Sequence, residues 1–403
     1  GRERGEAFAP TRLTPSHRWA VEQGAVFVEA ENWMRAQWFP LPGETHWRQS
    51  VDREVLAVRG SVGVCDVTTL GKIDVQGSDA AAFLDRVYCN LMSSLAVGRV
   101  RYGVMMREDG FAMDDGTVAR LADEQFVVTT TTANAVSVYR HMEFVRQCLF
   151  PELDVQLIST TEAWAQYAVA GPNSRALLQR CVDPAFDLSN DAFPFMECAN
   201  VTVCGGLRAR LFRISFSGEL AYEIAVPTAY GDALMRELMA QGADLDVVPY
   251  GTEALGVMRI EKGHAAGNEL NGTTTASDLG LGRMVSRKKD SIGSVLCRRD
   301  GLSGGNALSK VGFKPVSPSD PLPAGAHLMN ADGPVDAAHD QGYVTSACHS
   351  PVLGHAIAIG FLKNGEDRIG ETMRAVSPLT GVETQVEVVS DLFVDPEGER
   401  QRA

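Results

Sequence analysis

Tyr102-Gly103-Val104-Met105-Met106-Arg107-Glu108-Asp109-Gly110-Phe111-Ala112-Met113-Asp114-Asp115-Gly116-Thr117-Val118 decides how the chain folds. It reads as two strands, Tyr102 to Met106 and Phe111 to Leu121, folded about an Arg107-Glu108-Asp109-Gly110 turn. An Asp-Gly pair between apolar runs is a strong hairpin signal, because glycine takes the positive φ that tight turns require. The second strand carries the doublet Asp114-Asp115 between Met113 and Gly116-Thr117-Val118. Adjacent strand residues face opposite sides, so one carboxylate can reach solvent or a loop while the other enters the protein. A buried carboxylate is costly unless it is paired or used. Spacing alone leaves a second reading open, in which both are ordinary strand-edge acids. Glu223 poses the same question: Tyr222, Ile224 and Val226 share one strand face and leave Glu223 on the other, which a solvated face would also explain.

Working outward, Thr14-Pro15 opens a helix that Gly24 ends, a short strand covers Ala25 to Val28, and Val51 to Val58 is helical. Val64 to Gln76 alternates as strand with a break at Gly71, and Asp79 caps a helix over Ala80 to Tyr88. After the hairpin come a strand over Phe126 to Thr132, a helix from Asn134 or Ala135, a strand over Trp164 to Val169 and a Gly-Pro turn into Arg175 to Cys181. A second pass of strand, loop and helix fills Val201 to Ala240. From about Ser309, short strands separated by Pro and Gly read as a small β-barrel or sandwich, with the boundary in Arg298 to Asn306 where Gly301, Gly304 and Gly305 cluster. Strands and helices mix without regular βαβ alternation, so the class is α+β.

Length and charge narrow the function. At 403 residues the chain holds two or three domains, and its net charge of −14 gives no basic footprint for nucleic acid. No apolar run approaches a membrane span. Eight cysteines without a C-x-x-C point to reduced, mostly buried thiols and a cytoplasmic location. The histidines stand apart, so no metal site is expected. Ser217-Gly218-Glu219 is no nucleophile elbow, and Gly280-Leu281-Gly282 is no phosphate loop.

Several stretches, in order along nearly the whole chain, resemble the aminomethyltransferase (glycine cleavage T-protein) family. They are Gly63-Val64-Cys65-Asp66-Val67, the hairpin with its Asp-Asp pair, Ala168-Val169-Ala170-Gly171-Pro172-Asn173, and Ser217-Gly218-Glu219 through Tyr222-Glu223-Ile224. Arg259-Ile260-Glu261-Lys262-Gly263, Gly342-Tyr343-Val344-Thr345-Ser346 and Ser350-Pro351-Val352-Leu353 continue the series. Pro10-Thr11-Arg12, Trp33-Met34-Arg35, Thr129 to Thr132, Tyr250 to Ala254 and Arg287 to Gly293 look like the branch of that family found in sarcosine oxidase alpha subunits.

The resemblance implies a three-domain cloverleaf around a central hole that holds tetrahydrofolate. It implies α+β folate-binding lobes over 1–58 and 140–298, a lobe over 59–139 carrying the Asp114 hairpin, and a C-terminal β-barrel over 299–403. Asp114 matches the catalytic acid beside the folate nitrogens, Glu223 the acid that grips the pterin, and Tyr102 a residue lining the folate pocket. The reaction implied is one-carbon transfer from oxidised N-methylglycine to tetrahydrofolate. Flavin and NAD are expected only in parts of the complex outside this chain. Expected partners are other sarcosine oxidase subunits and a preceding dinucleotide-binding portion. Two departures stand out: Leu255 and Gly256 replace the family's Arg-Asp pair, and Thr129-Thr130 replaces an Asn near the folate. The first fits a domain fed by an attached flavin site. A non-catalytic folate- or subunit-binding module and a related demethylase or secondary-amine oxidase domain are the other readings.

Overall fold

The structure, a computed structural model, describes residues 12–303 and 307–403. Pro10, Thr11, Gly304 and Gly305, singled out above, lie outside these residues.

Strand β1 (Arg12–Leu13), helix α1 (His17–Glu22) and strands β2 (Val26–Ala30) and β3 (Trp33–Trp38) open the chain, the strands forming a small sheet. Helix α2 (Trp47–Gly60) buries Val51, Val55 and Val58, at the three-to-four residue spacing that lines one helical face. Strands β4 (Gly63–Asp66) and β5 (Gly71–Gln76) then enter different sheets. Helix α3 (Ala80–Val87), strands β6 (Val100–Met106), β7 (Ala112–Ala122) and β8 (Gln125–Thr130), helix α4 (Ala135–Phe144) and strand β9 (Gln156–Ser159) complete one lobe. Its sheet has the order β6-β7-β8-β5-β9. Asp79 precedes α3 without capping it, because its carboxylate accepts the Asp154 N–H instead.

Strand β10 (Trp164–Ala170), helix α5 (Ser174–Cys181), strands β11 (Cys198–Val203), β12 (Leu207–Phe212) and β13 (Ala221–Pro227), helix α6 (Gly231–Gln241), strand β14 (Val248–Pro249) and helix α7 (Thr252–Glu261) follow. Their sheet runs β11-β12-β13-β10-β4-β14. The sheets therefore part the chain at other residues than the expected edges of 59–139. Gly63–Asp66 pairs in the six-stranded sheet, and Gln156–Ser159 pairs in the hairpin's sheet. The reason is that β10 and β5 recruit partners distant in sequence, which local patterning does not record. The last six strands, β15 (Leu308–Pro315), β16 (His327–Asn330), β17 (Gly342–Ser350), β18 (His355–Lys363), β19 (Thr372–Ser377) and β20 (Val382–Val389), close a barrel.

The hairpin forms at the expected residues. Gly110 has φ +89°, and a Cβ there would come within 2.4 Å of the Cys297 backbone N, so the turn and its neighbour both require glycine. The second strand is bulged: Met105 pairs with Asp114 but Met106 pairs with Ala112, which leaves Met113 unpaired. A one-residue bulge exchanges the faces on either side of it. Asp115 therefore shares a face with Ala112, opposite Val104 and Met106, while Asp114 shares one with Met105 and Val118.

An ion network at the end of α2 ties the lobe of the six-stranded sheet to the barrel. The Arg59 guanidinium donates to Glu219 (2.7 Å), to the Ser217 carbonyl (2.9 Å) and to Glu261 at the end of α7 (2.6 Å). Glu261 also accepts from Ser350 Oγ of the barrel (2.6 Å), and its backbone carbonyl accepts the N–H groups of Phe393 and Val394. Two residues earlier, Arg259 pairs with buried Glu269 (2.8 Å) and donates to Ser346 of the barrel (2.7 Å). These side chains are almost completely buried, and removing one partner from such a group leaves the other charge uncompensated. Arg59→Met should lower unfolding stability by about 3–5 kcal/mol in urea titration. A loss comparable to that of a surface substitution would show that the network does not join the lobes.

Candidate functional site

The inner face of the five-stranded sheet turns toward the six-stranded sheet. Val100, Ala119 and Val127 of the first form one apolar cluster with Phe212 and Ala225 of the second and with Ile214 just after β12. A buried two-pronged ion pair, Arg210 to Asp74 at 2.8 and 2.7 Å, spans the same gap from β12 to β5. Beside this core, the inner face becomes polar. Tyr102 pairs with Thr117, the hydroxyls of Thr117 and Thr129 lie 2.8 Å apart, and Thr129 pairs with Lys72. Four neighbouring strands thus contribute one polar row, and Asp115 stands two residues from Thr117 on the same face. From the facing sheet, Glu223 shares its side of β13 with Ala221 and Ala225, the latter in the inter-sheet core.

Both acids of the doublet are buried, Asp114 at 2 % and Asp115 at 8 % exposure. Neither faces open solvent, and Asp114 turns to the loop between β8 and α4, which agrees with the reading that one of the two can reach a loop. Their partners differ in kind. Asp114 accepts from the Thr131 hydroxyl (2.6 Å), the Asn134 amide (3.0 Å) and the Thr131 N–H (3.1 Å), so both its oxygens are engaged within its own lobe. Burial pushes its carboxyl up to about 6, against the pull of those bonds. Asp115 accepts the Tyr102 phenol at Oδ2 (2.6 Å), and among the described residues no hydrogen bond reaches Oδ1. Burial and the Asp115 charge drive the Tyr102 phenol well above its usual range, which keeps it a donor. Tyr102 therefore meets Asp115, and the structure does not bring it to Asp114.

Glu223 accepts the Gln166 amide at Oε2, and among the described residues Oε1 has no partner. Its carboxyl is raised by burial, opposed by Gln166 and by the Lys72 charge. The Lys72 ammonium donates to the Thr68 carbonyl (2.7 Å) and the Leu70 carbonyl (2.9 Å), which leaves one of its three protons unused. Burial lowers its pKa to about 7. Two acceptor oxygens and one donor thus keep capacity to bond on facing, largely buried residues, an arrangement that a ligand with complementary N–H and carbonyl groups would satisfy. Among the described residues no group of His, Cys, Asp and Glu converges as a metal site.

Residues 16–289 match the family model described as the GCVT N-terminal domain, and residues 309–395 match the glycine cleavage T-protein C-terminal barrel domain. The chain belongs to the glycine cleavage T-protein family. It is 48% identical over 402 residues to the sarcosine oxidase subunit alpha of Rhizobium meliloti (strain 1021), covering 99% of this chain and 40% of that one. The chain thus spans about two-fifths of the length of that relative. It is 27% identical to the aminomethyltransferase of Chloroherpeton thalassium, covering 89% of this chain and 92% of that one. The crystal structure of the glycine cleavage system aminomethyltransferase T from Bartonella henselae superposes with a TM-score of 0.81 at 24% identity, over 95% of this chain and 98% of the other. That likeness carries the fold, the aminomethyltransferase architecture with its C-terminal barrel. The domain is of an enzymatic, aminomethyltransferase type.

Sequence reading singled out Asp115 only as the second acid of the doublet, and it did not mark Lys72, Gln166 or His264. Lys72 had a signal: with Asp74 it alternates with Gly71, Ile73 and Val75, which puts both charges on one face of the strand. All eight thiols are free: Cys65, Cys89, Cys181 and Cys198 are buried, Cys297 and Cys348 half-buried, and Cys148 and Cys204 exposed. No helix among the described residues is long and apolar enough to cross a membrane.

Asp114 also gives a stability signature. Its folded pKa of about 6 lies above the ordinary 3.8. Its contribution is therefore fully present below about pH 4 and is lost as pH rises toward 6. Asp114→Asn removes that slope. The stability difference between variant and parent should shift in the variant's favour by about 1–3 kcal/mol from pH 4 to pH 7 in urea titrations. A difference independent of pH would place the Asp114 pKa near its ordinary value.

Proposed function

We propose that this chain is the folate-dependent one-carbon transfer domain of a sarcosine oxidase, and that Asp115 is its working carboxylate. The observation that carries the reading is the set of unsatisfied groups on facing sheets: Asp115 Oδ1 and Glu223 Oε1 as acceptors, Lys72 as donor. Tetrahydrofolate supplies two secondary amine nitrogens that give up their protons as they take on a carbon at the oxidation level of formaldehyde. Its pterin edge presents amino and ring N–H groups beside a carbonyl, a pattern that Glu223 and Lys72 match with one acceptor and one donor. Asp115 Oδ1 is placed to accept a proton from an amine and return it, the task of a general base. Its negative charge also favours a cationic iminium nearby. Tyr102 holds the other oxygen, Oδ2, by its phenol.

Asp114, expected from the resemblance to be the catalytic acid, accepts three hydrogen bonds from Thr131 and Asn134, with at least one at each oxygen. We assign it the role of fixing β7 against α4, so that its neighbour is presented inward. Glu223 and Tyr102 keep the roles the resemblance implies. Similarity to the longer sarcosine oxidase subunits supports N-methylglycine as the carbon source, with flavin, NAD and further subunits contributed from outside this chain. A soluble cytoplasmic complex is the setting this reading entails.

The test is product partition in the assembled oxidase turning over N-methylglycine with tetrahydrofolate present. Asp115→Asn should leave amine oxidation intact while the share captured as 5,10-methylene-tetrahydrofolate falls about tenfold or more and formaldehyde rises, in keeping with the usual weight of a general base. Asp114→Asn should change the partition less than about threefold. If Asp114→Asn has the large effect and Asp115→Asn has none, the role returns to Asp114. Unchanged partition in both variants removes the doublet from the chemistry and favours a domain that only binds.

A further inference from the structure

One ionisable ring faces Asp115 from outside its own sheet. His264 follows α7 directly, and its backbone is tied to that helix: its N–H donates to the Arg259 carbonyl, and its own carbonyl accepts from Arg259 Nη1. Its Nε2 lies 3.6 Å from Asp115 Oδ2, the oxygen that already accepts the Tyr102 phenol. The ring meets Tyr102 edge-on at 5.5 Å between centroids and Phe216 edge-on at 4.9 Å. These two aromatic contacts leave it little freedom to turn away.

The charged and titratable groups around the ring come from every neighbouring element. Asp115 stands on β7, Tyr102 on β6, Lys262 just after α7 and Lys310 on β15. Lys262 is bound to the Ser215 carbonyl, and Lys310 to Asp391 and the Gly263 carbonyl. Burial lowers the His264 pKa, Asp115 opposes that shift, and the two lysines add to it. A neutral imidazole carries one N–H. Pointed at Oδ2, it would be a second donor beside the phenol.

We propose, resting on the reading of Asp115 above, that His264 is a positioning residue. Its Nε2–H and the Tyr102 O–H together hold Oδ2, so that Oδ1 is the oxygen turned toward the ligand. The separation of 3.6 Å is longer than a hydrogen bond, and such contacts commonly tighten only once a ligand is in place. No bond to carbon passes through His264. The proton taken up at Oδ1 stays on the carboxyl until it is returned to the departing group.

Two variants separate this role from simple packing. His264→Phe keeps the aromatic contacts and removes the N–H, whereas His264→Gln keeps an N–H donor and removes the ring. Positioning predicts that transfer to tetrahydrofolate in the assembled oxidase falls about tenfold in His264→Phe and largely recovers in His264→Gln, with tetrahydrofolate affinity changed less than about threefold in both. The reverse ranking, or full transfer in His264→Phe, overturns it. A ligand-free measurement reads the same contact: following the imidazoles by NMR against pH, Asp115→Asn should move the His264 midpoint to lower pH. A midpoint that does not move overturns the contact irrespective of turnover. If the parent binds no tetrahydrofolate, the functional reading fails and this inference fails with it. If it binds and transfers normally without the His264 nitrogen, only this inference fails.

Discussion

The guanidinium of Arg59 is the constraint that fixes the lobe of the six-stranded sheet against the barrel. It is buried at the end of α2, held by Glu219 from one side and Glu261 from the other, and Glu261 passes the connection on to Ser350 of the barrel. Such a network contributes little by pairing alone, because desolvating the charges offsets much of their attraction. What it provides is intolerance of any other packing, since each displaced partner would leave a charge buried without compensation. Helix α7 is thereby anchored at its end, and the residue that follows the anchor by three positions is His264. Lobe assembly and site geometry are in this sense one problem solved by the same few side chains.

Between the sheets, the same logic applies at shorter range. Arg210 and Asp74 fix the separation of β12 and β5, and an apolar cluster fills the gap beside them. The polar row and the facing Glu223 lie next to a rigid support, so their unpaired atoms are held apart and cannot satisfy one another. Held apart in this way, they stay available to a ligand whose polar groups match their spacing.

Much of this was legible in the residues. Gly110 and its Asp-Gly turn gave the hairpin, alternation in Tyr222 to Val226 separated Glu223 from its apolar neighbours, and the Pro- and Gly-punctuated tail left a barrel or a sandwich, of which the barrel forms. The stretches that carried the family resemblance turn out to supply the lobe-joining network: Glu219, Arg259, Glu261, Ser346 and Ser350 are all in it. The choice between Asp114 and Asp115 was beyond pattern reading for a definite reason. Parity counted from Ala112 puts Asp114 on the inner face, and the bulge at Met113 exchanges the two. Bulges depend on how a partner strand pairs and leave no fixed mark in the strand itself. Likewise, β4 and β9 joined sheets that lie far along the chain, and His264 became relevant only because α7 delivers it to another lobe.

The row formed by Tyr102, Thr117, Thr129 and Lys72 has a further consequence. Neighbouring strands lie about 4.8 Å apart, and that interval is set by backbone geometry, with side chains adding only fine adjustment. A molecule lying across the row meets a scale whose graduations cannot drift, so selection operates through molecular length and the placement of heteroatoms more than through flexible accommodation. Change of preference over evolution could then proceed one graduation at a time, each strand exchanging a single residue while the interval stays constant.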